Sequence, residues 1–237
     1  MNYAIYFMKL IGASLLLMTA CTGCVRSYFK SSNDVYKKES VVFMSDGSQK
    51  KGLITVDFEN TESKFAHKEY ISFYPDGQNK EEKLYLGGIK GYSVNGQYFA
   101  LKLIDLQNTI FDFGSSPGPI NTYLFVKPMN SEDSKMRIYE LHRSRKSSPY
   151  DEESYHYFMA LPGFGSYQTE PMTNYLSNFD VKMSRVVMDC PDLVNKILAK
   201  TKGYYIVPLG FSDKKRLDVY LKIADEYNHC NKVSSGD

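Results

Sequence analysis

Four cysteines and four histidines carry most of the chemical potential of this chain, and their spacing decides what they can do. His67, His142, His156 and His229 are scattered, without the His-x-x-x-His or Cys-x-x-Cys spacing that places two ligands on one metal ion. The sequence therefore implies no metal site and no cofactor. His142 and His156 fall in neighbouring predicted strands, where they could meet as a pair or sit as ordinary surface or core side chains. Gly163-Phe164-Gly165-Ser166-Tyr167 invites comparison with a nucleophile elbow, but that turn needs its serine one residue away from each of two glycines. Ser166 follows Gly165 directly, so the segment reads as a loop. Asp151-Glu152-Glu153, near Arg143, Arg145 and Lys146, could hold a cation or a basic partner, or form a solvated hairpin tip. Paired carboxylates for acid–base catalysis need burial and opposed environments, which adjacent residues of a polar loop do not supply. No catalytic residue is assigned, and the enzyme question leans towards no.

The cysteines are more informative. Cys190 stands at a predicted helix start, where thiolates are stabilised, and Cys230 closes the last predicted helix. In an antiparallel helix pair the start of one helix lies beside the end of the next. The two thiols can then join, or remain as separate buried thiols; an oxidising compartment favours a Cys190–Cys230 disulfide.

The other two cysteines follow a targeting segment. From Met8 to Ala20 the chain reads MKLIGASLLLMTA, one positive charge followed by an apolar run ending in small residues, the order of an export signal. The apolar stretch of about eleven residues is short of the roughly 20 that span a bilayer as a permanent helix, so a cleaved signal over residues 1–20 is expected. The preceding residues add no charge, leaving Met1 and Met8 as alternative starts. Leu17-Met18-Thr19-Ala20-Cys21 resembles the lipobox of bacterial lipoproteins, which implies lipid attachment at Cys21. Thr22-Gly23-Cys24 is the alternative. It has the better small pair but a cysteine in the usually aliphatic position, and cleavage there would leave Cys190 and Cys230 as a clean pair. Two or more acyl chains, at about 0.8 kcal/mol per buried methylene, make a stable anchor. The expected location is the cell envelope. No Asp follows either cysteine to retain the protein at the inner membrane, and no acidic run follows to favour surface display. The expectation is therefore the outer membrane, facing the periplasm. The formal charge of +2 is too small for a nucleic-acid surface, so the expected partners are the membrane, through the anchor, and an envelope protein or glycan.

The rest of the chain supplies the elements that must carry these residues. Residues 21–39 are polar, have no period, and read as a flexible tether. From residue 40 to 170 a β-rich body is expected. Val41–Met44 and Gly52–Phe58 flank an Asp46-Gly47 turn, Tyr70–Tyr74 and Lys83–Leu86 follow, and Ile89–Val94 with Gln97–Ile104 surround Asn95-Gly96, the strongest hairpin signal. Tyr123–Val126, Arg137–Leu141 and Tyr155–Ala160 continue the meander. The abundance of Tyr (20) and Phe (14), with no Trp, suits half-buried pleated surfaces or a sugar- or peptide-binding face. Near residue 172 the period changes: Met172, Leu176, Phe179, Met183 and Val187 form a helical stripe. Asp189-Cys190-Pro191-Asp192 restarts a helix running to Lys202 before Gly203, and a last helix follows Ser212 and ends at Cys230. The fold class is therefore α+β: an antiparallel meander sheet or partly open barrel, followed over residues 171–237 by about three helices packed on the same domain.

Two stretches carry a resemblance. Lys51-Gly52-Leu53-Ile54 through Ile89-Lys90-Gly91-Tyr92-Ser93-Val94-Asn95-Gly96, and Asp189-Cys190-Pro191-Asp192-Leu193 with Tyr227-Asn228, look like an uncharacterised family of Bacteroidetes envelope lipoproteins. Those proteins carry a K-G-x-I strand, an I-K-G-[FY]-x-[IV]-N-G hairpin and a C-terminal D-C-P-x-L helix. Val187 departs from the pattern, in which an aromatic residue stands two before the Asp. The resemblance implies an envelope address and a shape, and no catalytic residues. The leading expectation is a lipid-anchored, non-catalytic binding or structural module. The rivals are a glycan- or peptide-acting hydrolase whose site is assembled from distant residues, and a carbohydrate-binding surface lipoprotein.

Overall fold

A computed structural model describes residues 28–58, 69–78, 80–105, 121–147, 150–161, 168–207 and 212–230. In chain order the strands are β1 (Tyr28–Ser31), β2 (Asp34–Met44), β3 (Gln49–Asp57), β4 (Tyr70–Pro75), β5 (Glu82–Tyr85), β6 (Ile89–Val94), β7 (Gln97–Asp105), β8 (Asn121–Pro128), β9 (Arg137–Ser147), β10 (Tyr150–Ala160) and β11 (Gln168–Pro171). A short 3-10 turn (Met172–Tyr175) leads into helices α1 (Phe179–Val186), α2 (Pro191–Leu198) and α3 (Asp213–His229). The fold is α+β, as the change of period predicts.

Turn chemistry sets the register of the first half. Asn95 and Gly96 hold positive φ (51° and 77°), which two-residue hairpins need to match strand twist, and Val94 pairs with Gln97 across them. Between β2 and β3 the turn is longer: Gly47 holds a positive φ of 88° and the Met44 N–H donates to the Ser48 carbonyl (2.9 Å). Two glycines of the resembling stretches serve close backbone approach. A Cβ on Gly52 would stand 2.1 Å from the Tyr74 carbonyl oxygen, and one on Gly91 would stand 2.3 Å from that of Phe99. Alternation buries Ile54, Val56, Ile71 and Phe73 on one face of β3 and β4, against Tyr92 and Phe125.

The strands β2 to β5 form a meander, β6 joins the free edge of β2, and pairing continues through β7 to β8. The sheet then curls back without closing into a barrel. β8 meets β9 through only two residue pairs, and β1 meets β9 through the single bridge Ser31↔Arg143. β9 and β10 form a long two-stranded ribbon, and β11 pairs with β10 and, in parallel, with β7. One face of the ribbon packs Tyr139, Leu141 and Phe158 against Ile104, Leu124 and Val126. The opposite face offers Ile138 and Met159 to the helices, where Phe179, Met183, Leu193, Ile197, Tyr220 and Ile223 complete the core.

Three boundaries differ from the sequence reading. Strand pairing begins at Tyr28, so residues 28–39 are part of the sheet rather than tether. Lys37 (φ 46°) forms a bulge that makes the register jump between Val35 and Lys38, which erases the period of two along this stretch. The stripe from Met172 to Val187 is not one helix, because Asn178 takes a left-handed φ of 55° and divides the 3-10 turn from α1. Helix α2 ends at Leu198 rather than Lys202, with Lys200 and then Gly203 at positive φ. The parallel strand β11 has no counterpart in the sequence reading.

At the centre, the Ser32-Asn33 turn between β1 and β2 lies against the edge of β8 that β9 leaves bare. Asn33 is fully buried; its Nδ2 donates to the Phe125 carbonyl (2.9 Å) and its Oδ1 accepts from the Phe125 N–H (2.8 Å). Ser32 Oγ donates to the same carbonyl, the Tyr92 hydroxyl donates to the Ser32 carbonyl (2.6 Å), and the Phe58 N–H donates to that of Asn33 (2.8 Å). An amide side chain thus supplies what a neighbouring strand would. Asn33→Ala removes a buried acceptor and a buried donor together. The Phe125 N–H is then left dry while Ser32 Oγ still serves the carbonyl, so chemical denaturation should show a loss of about 1–3 kcal/mol.

The helices are tied at both ends. Cys190, at the start of α2, and Cys230, just past α3, form a disulfide with Cα atoms 6.0 Å apart, closing 40 residues. Further along the antiparallel pair, Glu226 accepts from Lys196 and from the Tyr204 hydroxyl. Burial works against the Glu226 charge, yet these donors outweigh it and hold the carboxyl below the usual range. Lys135 Nζ donates to the Cys230 carbonyl (2.8 Å) and Asn228 Oδ1 accepts from the Met136 N–H (3.0 Å), fastening the end of α3 to the sheet. Cys190→Ser should cost about 2–4 kcal/mol, a drop of roughly 5–15 °C at 2–4 °C per kcal/mol. Cys190→Ser with Cys230→Ser should cost little more when melted in parallel, because both changes remove one shared bond.

Candidate functional site

The outward face of the β9–β10 ribbon is covered by helices only at one end. Beyond Ile138 and Met159 the same face continues through Glu140 and His142, with Tyr157 and Tyr155 as their register partners. Strand alternation alone therefore lines up a row of polar and aromatic side chains leading out of the core. Two concavities lie along this row. The first, about 270 Å³, is bordered by Phe29 of β1, Gln97 and Phe99 of β7, Lys127 of β8, and Glu140, His142 and Tyr155 of the ribbon. The second, about 320 Å³, lies between β10, the 3-10 turn and α3, with Tyr157, Met172, Leu176 and Tyr220 as apolar walls and Glu153 and Arg216 as polar groups. Tyr155 borders both.

Ring pairs form opposite walls of the first compartment. Phe29 packs on Phe99 (centroids 5.7 Å), and His142 stacks on Tyr155 (4.6 Å, planes 20° apart). Lys127 Nζ and Glu140 Oε1 lie 3.8 Å apart between them, on register-paired residues. His142 Nε2 is 3.9 Å from Glu153 Oε2, beyond hydrogen-bond distance. In the second compartment the Tyr220 hydroxyl donates to the Met172 carbonyl (2.9 Å), and burial above all pushes its pKa upward, so the phenol stays a neutral donor. This cleft can seat an elongated ligand with flat apolar faces stacked on rings and hydroxyl or amide groups directed at the charged and amide side chains.

The candidates singled out in the sequence are distributed differently. His142 belongs to the cleft, but its register partner is Tyr155 whereas His156 pairs with Leu141, so the two histidines point to opposite faces and do not meet. His156 Nε2 lies 3.4 Å from Ser154 Oγ, long for general-base activation of a hydroxyl. His229 is on the surface of α3, with Nδ1 2.7 Å from the Asp225 carbonyl oxygen. Asp151 and Glu152 pair in register with Lys146 and Arg145, next to the Tyr150↔Ser147 pair that ends the β9–β10 hairpin, which puts them at its tip. Cys21, Cys24, His67 and Ser166 lie outside the described residues. Among the described residues no group of three His, Cys, Asp or Glu side chains could hold a metal ion, and no helix is long and apolar enough to cross a membrane. Sequence reasoning missed Phe29, Gln97, Phe99, Lys127 and Glu140. The only local signal was the two-residue spacing of Glu140 with His142 and of Tyr155 with Tyr157.

Fold and cleft together define an α+β protein with an open, curled sheet and a ring-walled surface groove at the seam between sheet and helices. No family model matches the chain, and no curated protein or solved structure matches it.

Tyr155 is 42% exposed, so its ring serves the cleft more than the core. Tyr155→Ala should lower stability by only about 0.5–1.5 kcal/mol, the worth of one ring pair. Phe125→Ala, at a fully buried ring, should cost about 3–5 kcal/mol, both variants being compared with wild type by urea denaturation.

Proposed function

We propose that this protein is a lipid-anchored component of the bacterial cell envelope that acts as a non-catalytic binding module, taking a glycan or extended peptide into the Tyr155 cleft. The observation that carries this reading is the pairing of stacked rings with Lys127 and Glu140 in one groove. Sugars and peptides present that combination, with apolar faces for stacking and polar edges for hydrogen bonds. The address rests on the MKLIGASLLLMTA run before Cys21, with lipid on Cys21 or Cys24, and on the resemblance to Bacteroidetes envelope lipoproteins. The outer membrane, facing the periplasm, is the proposed site of residence. Within this reading the disulfide suits an oxidising compartment.

Two measurements test it. Mass spectrometry of the N-terminal peptide should find acyl chains on Cys21 or Cys24; an unmodified cysteine, or cleavage elsewhere, removes the anchor. Calorimetric titration with short oligosaccharides and with unstructured tetrapeptides should find one class that binds. For that class Tyr155→Ala should weaken affinity about tenfold or more, corresponding to about 1.4 kcal/mol. Equal affinity of wild type and variant would refute the cleft as the site.

A further inference from the structure

The sheet begins very close to the proposed point of attachment. Tyr28, the first residue of β1, is four positions after Cys24 and seven after Cys21. At no more than about 3.6 Å per residue, the chain between lipid and sheet reaches roughly 14 Å or 25 Å at full extension. A domain of this size is roughly 40 Å across. The lipid therefore keeps whichever surface surrounds Tyr28 close to the bilayer.

That surface has the composition of a membrane interface. On the outer side of the sheet, Tyr28 stacks on Tyr36 of β2 with ring centroids 5.4 Å apart. Lys30 lies over the Tyr28 ring at 4.9 Å, and Lys37 lies over both Tyr36 (5.7 Å) and Tyr74 of β4 (5.1 Å). Acids beside these lysines are engaged within the band: Asp34 pairs with Lys30 (3.3 Å), and Glu81 accepts from the Tyr74 hydroxyl (3.0 Å). Lys30 and Lys37 stand against Asp34, Asp57 and Glu81, so the band carries no excess positive charge and fits the headgroup layer through its amphipathic rings rather than through attraction to anionic lipid.

We infer that the tyrosine–lysine band of β1, β2 and β4 rests on the headgroup layer of the membrane that holds the lipid, fixing the orientation of the domain. Phe29 alternates with Tyr28 and Lys30, so the cleft opens on the other side of β1, away from the docked band. The inference depends on the lipid-anchored reading.

The chain contains no tryptophan, so a single introduced indole reports its own surroundings. Lipidated full-length protein carrying Tyr36→Trp, Tyr155→Trp or Met188→Trp is reconstituted into phosphatidylethanolamine–phosphatidylglycerol vesicles. A lipid with a spin-labelled headgroup is then added as quencher. Tyr36→Trp should lose most of its emission, whereas Tyr155→Trp in the cleft and Met188→Trp near the helices keep theirs, and added salt should not change the result. Equal quenching at all three positions, or strongest quenching at Tyr155→Trp, overturns the proposed docking. Flotation of the same samples in a density gradient reads the anchor separately. Protein left at the bottom of the gradient refutes the anchor and the docking together, whereas floating protein with an unquenched Tyr36→Trp refutes the docking alone.

Discussion

An asparagine amide stands in for a strand at the middle of this protein. β8 bonds to β7 along one edge, but β9 reaches its other edge only at Lys127 and Pro128, which leaves the Phe125 N–H and carbonyl facing a gap. In a buried sheet such groups must be paired, since each costs of the order of 1–3 kcal/mol when left dry. Asn33 answers both with one side chain, because a primary amide offers a donor and an acceptor in nearly the geometry of a peptide group. Ser32, Tyr92 and Phe58 then satisfy what remains of the β1–β2 turn. The sheet can therefore curl without closing: β1 is held across the gap at its turn rather than along a ladder.

The cleft is a consequence of that curl. The β9–β10 ribbon leaves the body of the sheet with only short connections to β8 and β1, so one of its faces is free to pack on helices. The helices, stiffened by the disulfide and by the Lys196–Glu226–Tyr204 contacts, cover the ribbon at Ile138 and Met159 but not at His142 and Tyr155. Where that cover stops, β1 and the start of β7 bring Phe29 and Phe99 to the opposite wall. Strand alternation then gives β1 two different surfaces, with Phe29 towards the cleft and Tyr28 and Lys30 on the outer band. The proposed membrane contact and the proposed ligand site are thus two sides of one short strand.

Much of the fold was legible locally. Asn95-Gly96 and Gly47 take the positive φ that sets two hairpins, the alternation of Ile54, Val56 and Phe58 named a core face, and the change of period near Met172 announced helices. The disulfide followed from the placement of Cys190 and Cys230 at the two ends of adjacent antiparallel helices. These signals reside in a few consecutive residues and need no partner to be read. The strand content of residues 28–39 escaped because the Lys37 bulge breaks the alternation and the outward positions are charged, which makes a paired strand look like a polar tether. The break at Asn178 escaped because the apolar stripe runs through it in helical steps, while only the packed structure shows that the residue takes a left-handed conformation.

The site is a different case. Phe29, Phe99, Lys127, Glu140 and Tyr155 come from five strands, and nothing in the sequence says that β1 crosses the gap to stand beside β9 or that β11 runs parallel to β7. Those choices are long-range pairings, made by residues far apart in sequence, as where Asn33 meets Phe125 across 92 positions. The sequence by itself determined the two hairpins, the helical character of the C-terminal third and the placing of Cys190 and Cys230 at helix ends, because each rests on backbone angles, periodicity or order along the chain. Only the tertiary structure decided which faces meet, and therefore where the cleft and the tyrosine band lie, because side chains distant in sequence become neighbours only through the packing of the whole sheet.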